Sequence, residues 1–238
     1  MYNFCFTDYP DLSDTVLRYY QAYASVYLSG ESESSTAQSS VSKTIGEVRE
    51  ENKDSTNRII EEANKVVSSE IKPRFSAYDL YSARAYAEKY AVNPNSSYVY
   101  YSNGDCTNFA SQILASGGMA QNDDWKYNPL LGTGFSSPFR TWVNAQDFTE
   151  YWSLWRGFVG PECTSLGMIE SNADAGDFLA WRNLDSYIFY HVQFVQSKNT
   201  DREIFCTQHT PGYYNVSLRS KITSSTFNNQ TIVVINFY

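Results

Sequence analysis

The sequence predicts an α+β fold, in which helices lead and an antiparallel sheet closes the chain. Three observations carry that reading. Between Asp79 and Leu114 apolar residues recur at helical spacing. From Gly176 onward the chain breaks into short runs of aromatic and β-branched residues. Helices come first and strands later, rather than alternating as they do in a parallel sheet.

Taken in order, residues 12–28 read as a helix with Leu12, Val16, Tyr19, Tyr20, Tyr23, Val26 and Tyr27 along one face. Gly30 and the polar run Glu31 to Ser35 break it. A second helix is expected over residues 37–71, its weak seam made by Val41, Ile45, Val48, Asn52, Ser55, Ile59, Ala63 and Val66. These two form a helical hairpin, an extension over residues 1–72 that either packs on the main domain or mediates self-association. Lys72-Pro73 marks the boundary, because proline disfavours helix at the residue before it, and the main domain covers residues 73–238.

Within that domain residues 79–92 form an amphipathic helix with Leu80, Ala83, Tyr86, Ala87 and Tyr90 on one face, ended by Asn93-Pro94-Asn95. A helix starting at Cys106 follows: Gly104 supplies the turn, Asp105 the N-cap, and Phe109, Ile113 and Leu114 the apolar face. Residues 121–176 show few regular patterns but are crowded with Trp125, Phe135, Phe139, Trp142, Trp152 and Trp155; a loop through Ser136 to Trp142 and a helix capped near Asn144 are expected there. Strands are expected over residues 178–182, 187–197, 203–208 and 231–238.

Composition narrows the function classes. At 238 residues, with 42% hydrophobic and 16% aromatic content, the chain can bury a sizeable core. A net charge of −8 argues against nucleic acid as a partner, since phosphate binding needs a basic footprint. The four cysteines (Cys5, Cys106, Cys163, Cys206) show no CxxC pair and no metal-ligand spacing, so neither a metal nor a cofactor is expected. A Cys5–Cys163 disulfide and a pair of free thiols are equally compatible with the sequence. There is no apolar stretch long enough to span a membrane, and the N-terminus lacks the basic region and apolar run of a signal peptide. The chain is therefore either cytoplasmic or the product of a longer one whose leader has been removed.

Cys106 is the residue with the most chemical promise. A thiol in the first turn of a helix lies near the positive end of the macrodipole, which favours the nucleophilic thiolate. Of the four cysteines it alone has a helix-start context; Cys206 reads as strand packing. The chain holds two histidines, His191 and His209, both downstream on strand-like segments. A helix-start cysteine followed by a strand histidine is the layout of thiol hydrolases.

Asn103-Gly104-Asp105-Cys106-Thr107-Asn108-Phe109-Ala110-Ser111-Gln112, the preceding tyrosine- and alanine-rich helix, the tryptophan-rich middle, Ala175-Gly176-Asp177-Phe178-Leu179, Tyr190-His191-Val192 and Gln208-His209-Thr210 together resemble, in order and from about Ser76 to Tyr238, the putative amidase domain family of mainly Gram-positive bacteria. The resemblance implies a papain-like domain, related to CHAP and NlpC-type modules that cleave amide bonds in bacterial cell walls. It implies Cys106 as nucleophile and His191 as general base. The third member, which orients the imidazole, is Gln208 or His209; side chains alternate along a strand, so only one of these can face His191. Gln208 is favoured, because a neutral amide can accept from the imidazole N–H. The Cys106 backbone N–H, with a second donor from Tyr100 or Asn103, would hold the oxyanion.

Asp105 is placed to cap the helix or to position the site, and Asn108 to pin the preceding loop. Trp125 and Trp142 are candidates for lining a substrate cleft. The substrate implied is peptidoglycan or a peptide, and because members of the family are commonly exported, the implied location is secreted or at the surface of a Gram-positive-type cell. Two other readings share the same residues: a catalytically silent module that binds a wall peptide or a partner protein, and a thiol protease or deamidase acting on proteins. Phe189-Tyr190 and Gln193-Phe194, flanking the histidine strand centre, are bulkier than the family's usual small residues.

Overall fold

A computed structural model describes residues 45–66, 78–127, 140–223 and 225–237. It is an α+β fold: one six-stranded antiparallel sheet, order β1-β6-β2-β3-β4-β5, with most of its helices against one face. The strands are β1 (Val159–Cys163), β2 (Phe178–Asn183), β3 (Ile188–Lys198), β4 (Ile204–Gln208), β5 (Tyr213–Ser217) and β6 (Gln230–Ile235). The helices are α1 (Ile45–Val66), α2 (Leu80–Tyr90), α3 (Cys106–Ser116), α4 (Arg140–Val143), α5 (Ala145–Glu150) and α6 (Leu166–Asn172). A π-helical turn, Tyr151–Trp155, continues α5.

The sheet is buried on both faces at its centre. Alternation along β2 sends Phe178 and Ala180 into the larger core, shared with Phe109 and Ile113 of α3, Phe148 of α5 and Trp152 of the π turn. Leu179 and Trp181 point to the other face, where they meet Val195, Cys206, Ile232, Val234 and Ile169 of α6. All six residues of β2 are consequently buried, and a strand covered on both sides reads as a continuous apolar run.

The four interior strands lie where the sequence expects them. The two edges, β1 and β5, carry no such expectation, and their composition explains why. β1 (VGPEC) contains Pro161, which cannot donate to a ladder and is tolerated at an edge. It also contains Gly160, where a Cβ would fall 2.1 Å from Asn236 Oδ1 and 2.8 Å from the Val234 carbonyl. β5 (YYNVS) is half exposed and includes Asn215 at φ 50°. Neither edge displays the apolar alternation of a half-buried strand. The stretch from 140 to 172, expected to be largely irregular, holds α4, α5, the π turn, β1 and α6.

Helices α1 and α2 fall inside the ranges expected for them. The expected helix over residues 12–28, the boundary at Lys72-Pro73 and residues 136–139 of the expected loop lie outside the described residues; the rest of that loop, Arg140 to Trp142, is helical instead, as part of α4. Helix α1 packs against β1, β3, α5 and the π turn, and its Ile59 and Ala63 are completely buried in the larger core. Polar bonds fix its register. Thr56 Oγ1 donates to the Tyr187 carbonyl at 2.8 Å, and Gln146 Nε2 donates to Ser55 Oγ and Thr56 Oγ1 at 3.1 and 2.9 Å.

Cys163 and Cys206 are free, buried thiols. Among the described residues no helix is long and apolar enough to cross a membrane.

Because Ile59 has no exposed surface, Ile59→Ala removes buried methylenes and leaves a cavity. It should destabilise the chain by about 2–5 kcal/mol in chemical denaturation. Tyr81→Ala, at a side chain 83% exposed, should stay within about 0.5 kcal/mol.

Candidate active site

Helix α3 is buried from Cys106 to Leu114, polar residues included. Its polar side chains are all bonded, which is what permits their burial. Asn108 Nδ2 donates to the Val99 carbonyl (2.8 Å), and Asn108 Oδ1 accepts from Trp142 Nε1 (2.9 Å). Ser111 Oγ donates to the Trp142 carbonyl and accepts from Trp125 Nε1, at 2.8 and 3.1 Å. Gln112 Oε1 accepts from the Tyr86 hydroxyl at 2.7 Å. The expected role of Asn108, pinning the preceding loop, matches this geometry.

The two tryptophans weighed as cleft-lining are placed elsewhere. Trp125 and Trp142 are 0% and 1% exposed, their rings 4.7 Å apart, and each indole N–H is bonded to α3. An indole whose N–H has found a partner can be fully buried, and these two brace the helix from behind.

The start of α3 is built unlike those of α2, α5 and α6. Asp79, Asn144 and Ser165 each accept from first-turn amides of their helices. Asp105 makes no such capping bond, contrary to the expectation from its position. Its carboxylate is drawn backwards instead: Oδ1 accepts from Tyr101 N (3.0 Å) and Asn108 Nδ2 (2.8 Å), and Oδ2 pairs with His209 Nδ1 at 2.5 Å. Its own backbone N–H donates to Thr210 Oγ1 at 2.9 Å. The first amides of α3 are thus left without a side-chain cap beside the Cys106 thiol.

The two residues between which the sequence left a choice are the last of β4, Gln208, and the first beyond it, His209, and the structure sends them in different directions. Gln208 Oε1 lies 2.7 Å from His191 Nε2. His209 turns to the helix side, where its Nδ1 meets Asp105, its Nε2 donates to the Tyr90 carbonyl at 2.8 Å, and its ring stacks on Phe109 with centroids 3.8 Å apart. His191 itself stands on β3, paired with Trp181 of β2, near enough to the Cys106 thiol for each group to shift the other's titration. Cys106, His191 and Gln208 therefore form one connected group, and His209 is not part of it.

The remaining candidates sit on the loop before α3. Tyr100 is 47% exposed, with its ring edge-on to His209 at 5.6 Å. Asn103 is exposed on the turn closed by Gly104 N–H to the Tyr101 carbonyl at 3.0 Å. Neither is hydrogen-bonded to Cys106. Thr107, which the sequence did not single out, is: its hydroxyl lies 3.7 Å from Cys106 Sγ.

Electrostatics separate this thiol from the others. Burial pushes the Cys106 thiol up, and this is the largest single influence. Against it act the His191 charge, its hydrogen bond, the Val192 backbone N–H and the Thr107 hydroxyl, which together hold the thiol below its ordinary range. His191 shows the mirror image. Burial lowers it, but the Cys106 charge and hydrogen bond and the Gln208 contact raise it above the usual histidine value. Cys163 is pushed up to about 12 by burial and by the Glu162 charge, and Cys206 rises further by burial alone. Among the described residues no cluster of three or more His, Cys, Asp or Glu side chains could hold a metal ion.

A thiol held low keeps its thiolate as pH falls, so alkylation of Cys106 by iodoacetamide should persist below the range of an ordinary thiol. His191→Ala removes two of the four lowering influences and should move that midpoint upward. Cys163 and Cys206 should stay unlabelled in the folded chain; peptide mapping after labelling reads all three. Separately, His209→Ala strands the buried Asp105 carboxylate, and should cost about 3–5 kcal/mol in chemical denaturation, the size expected when one partner of a buried pair is removed.

The model of the putative amidase domain family matches residues 77–235. The uncharacterized protein YjcM of Bacillus subtilis (strain 168) is 38% identical to the chain over 156 residues, which is 62% of this chain and 34% of that protein. The chain thus spans about a third of that relative's length. No solved structure matches. The order of motifs, the extent of the match and the α+β architecture agree: the chain belongs to the putative amidase domain family.

Proposed function

We propose that this chain is a cysteine-dependent amide hydrolase in which Cys106 is the nucleophile, His191 the base and Gln208 the residue that orients the imidazole. Family membership points to amide-bond hydrolysis in general. The observation that supports the cysteine mechanism is the His191 ring, held by the Gln208 side-chain oxygen at 2.7 Å and electrostatically coupled to the Cys106 thiol.

Gln208 Oε1 can only accept, so His191 Nε2 carries the hydrogen and Nδ1 is the nitrogen free to take a proton from Cys106. Proton transfer gives the thiolate, which attacks the substrate carbonyl carbon. The oxyanion that forms lies at the uncapped end of α3, where the Cys106 N–H and the helix dipole favour negative charge. As the C–N bond breaks, the imidazolium gives its proton to the departing amine and a thioester remains. Water then attacks the thioester, losing a proton to His191; the acid leaves and the thiol is restored.

The neighbouring Asp105 carboxylate would repel a thiolate were it unmatched. Its contact with His209 and two N–H donors moderates that field. The same resemblance that implies the triad supports a papain-like ancestry and bacterial cell-wall peptide as the substrate. It also supports an exported, cell-surface setting.

Mass spectrometry of muropeptides incubated with the protein tests this. New fragments bearing a freed amine should appear with the native chain and be absent with Cys106→Ala. His191→Ala should lower turnover by about 10²–10⁴-fold, as for loss of a general base. Gln208→Ala removes a hydrogen bond to a charged ring, about 1.5–3 kcal/mol, and should slow turnover by about 10–100-fold. Fragments that form equally with Cys106→Ala would overturn the mechanism. No cleavage by either chain would favour a silent binding module.

A further inference from the structure

Gln208 does not hold His191 alone. Behind it runs a chain of buried side chains that the mechanism has not used. Trp181 Nε1 donates to Gln193 Oε1 at 2.7 Å. Gln193 Nε2 then donates to Gln208 Oε1 at 2.5 Å and to the Tyr213 hydroxyl at 2.7 Å. Gln208 Nε2 donates to the Pro211 carbonyl at 3.1 Å. Trp181, Gln193 and Gln208 are 7%, 5% and 4% exposed, so bulk water is poorly placed to substitute for any of these bonds.

Two ends of this chain have a fixed polarity. An indole N–H can only donate, and a proline carbonyl can only accept. The first sets the Gln193 amide with its oxygen toward Trp181 and its nitrogen toward Gln208. The second sets the Gln208 amide with its nitrogen toward Pro211 and its oxygen toward Gln193 and His191. Turning the Gln193 amide over would set two oxygens 2.5 Å apart and an NH₂ against the indole N–H; turning the Gln208 amide over would set two NH₂ groups together and its oxygen against the Pro211 carbonyl. Both lone pairs of Gln208 Oε1 are then engaged, by Gln193 and by His191 Nε2. Strand geometry makes this possible, because Trp181 pairs with His191 and Leu179 with Gln193 across β2 and β3, which sets Trp181, His191 and Gln193 on one face.

Resting on the hydrolase reading above, we propose that Gln193, polarised by Trp181 and backed by Tyr213, is a positioning residue that fixes the His191 tautomer with hydrogen on Nε2, so that Nδ1 always faces Cys106 as the base. Gln193 touches no reacting atom; it acts through Gln208. Its role accounts for a polar side chain buried beside the histidine at a position where the family usually has a smaller residue.

The test reads the tautomer directly. In a Cys106→Ala chain, which uncouples His191 from the thiol, the ring-nitrogen NMR shifts of neutral His191 should report hydrogen on Nε2. Adding Gln193→Leu frees the Gln208 amide from one of its two anchors, and a substantial fraction of the Nδ1–H form should appear. Trp181→Phe keeps an aromatic ring and deletes only the N–H, so it should move the tautomer in the same direction; it also serves if Gln193→Leu loses the fold. With Cys106 intact, Gln193→Leu should slow its alkylation near neutral pH by about tenfold, the loss of about one hydrogen bond of positioning, and raise the pH midpoint. Hydrogen retained on Nε2 in both variants would overturn the proposal. The two readings fail separately. A tautomer that moves, in a chain whose Cys106 is no more reactive than a denatured thiol, would sustain the positioning role and sink the hydrolase. A fast, His191-dependent Cys106 with an unmoved tautomer would do the reverse.

Discussion

The Asp105 carboxylate is the knot around which the site is tied. Four contacts converge on this one buried residue: Tyr101 N–H and Asn108 from its own loop and helix, and His209 and Thr210 from the end of β4. A carboxylate this deeply buried is tolerable only when matched, and the His209 ring, itself held by the Tyr90 carbonyl and by Phe109, supplies the match. The result joins the residue before α3 to the turn that follows β4. Gln208 ends β4 and His209 opens the turn beyond it, and their side chains go one toward His191 and the other toward Asp105. One strand end therefore sets both the imidazole and the thiol. Their separation does not depend on a flexible loop.

The same arrangement explains why the helix start is uncapped. A carboxylate committed to His209 cannot also satisfy the first amides of α3, although position and residue type favour an N-cap. Local propensity is overruled by a tertiary partner more than a hundred residues downstream, and the overruling falls beside the Cys106 thiol. Sites of this kind are where local rules are expected to fail.

What was legible in the sequence follows the same logic. The four interior strands carry their own signal, because burial on both faces demands apolar residues. The edges β1 and β5 carry little, since each is paired on one side only; Pro161 and Gly160 in one and Asn215 in the other are tolerated there. Of the site, Cys106, His191 and Gln208 were visible through residue type, order and the resemblance. The tryptophans were visible as aromatic mass but not as braces, because an indole that lines a cleft and one that binds Ser111 or Asn108 from behind look alike in one dimension. Gln193 left almost no trace: a lone polar residue amid Val192, Phe194 and Val195 reads as a strand's outward face, and its partners come from three other segments.

Helix α1 lies ahead of the stretch that the family model recognises, which begins at residue 77. Yet Ile59 and Ala63 sit in the central core, and Gln146 fastens the helix to β3 by holding Ser55, Thr56 and the Phe189 backbone N–H together, two residues from His191. The folding unit is thus longer than the recognisable one. A recombined gene that carried over only the recognisable stretch would deliver every residue of the thiol site while stripping the cover from the sheet beneath it. Whatever segment stands before such a domain has to bring an apolar face and a hydroxyl of its own.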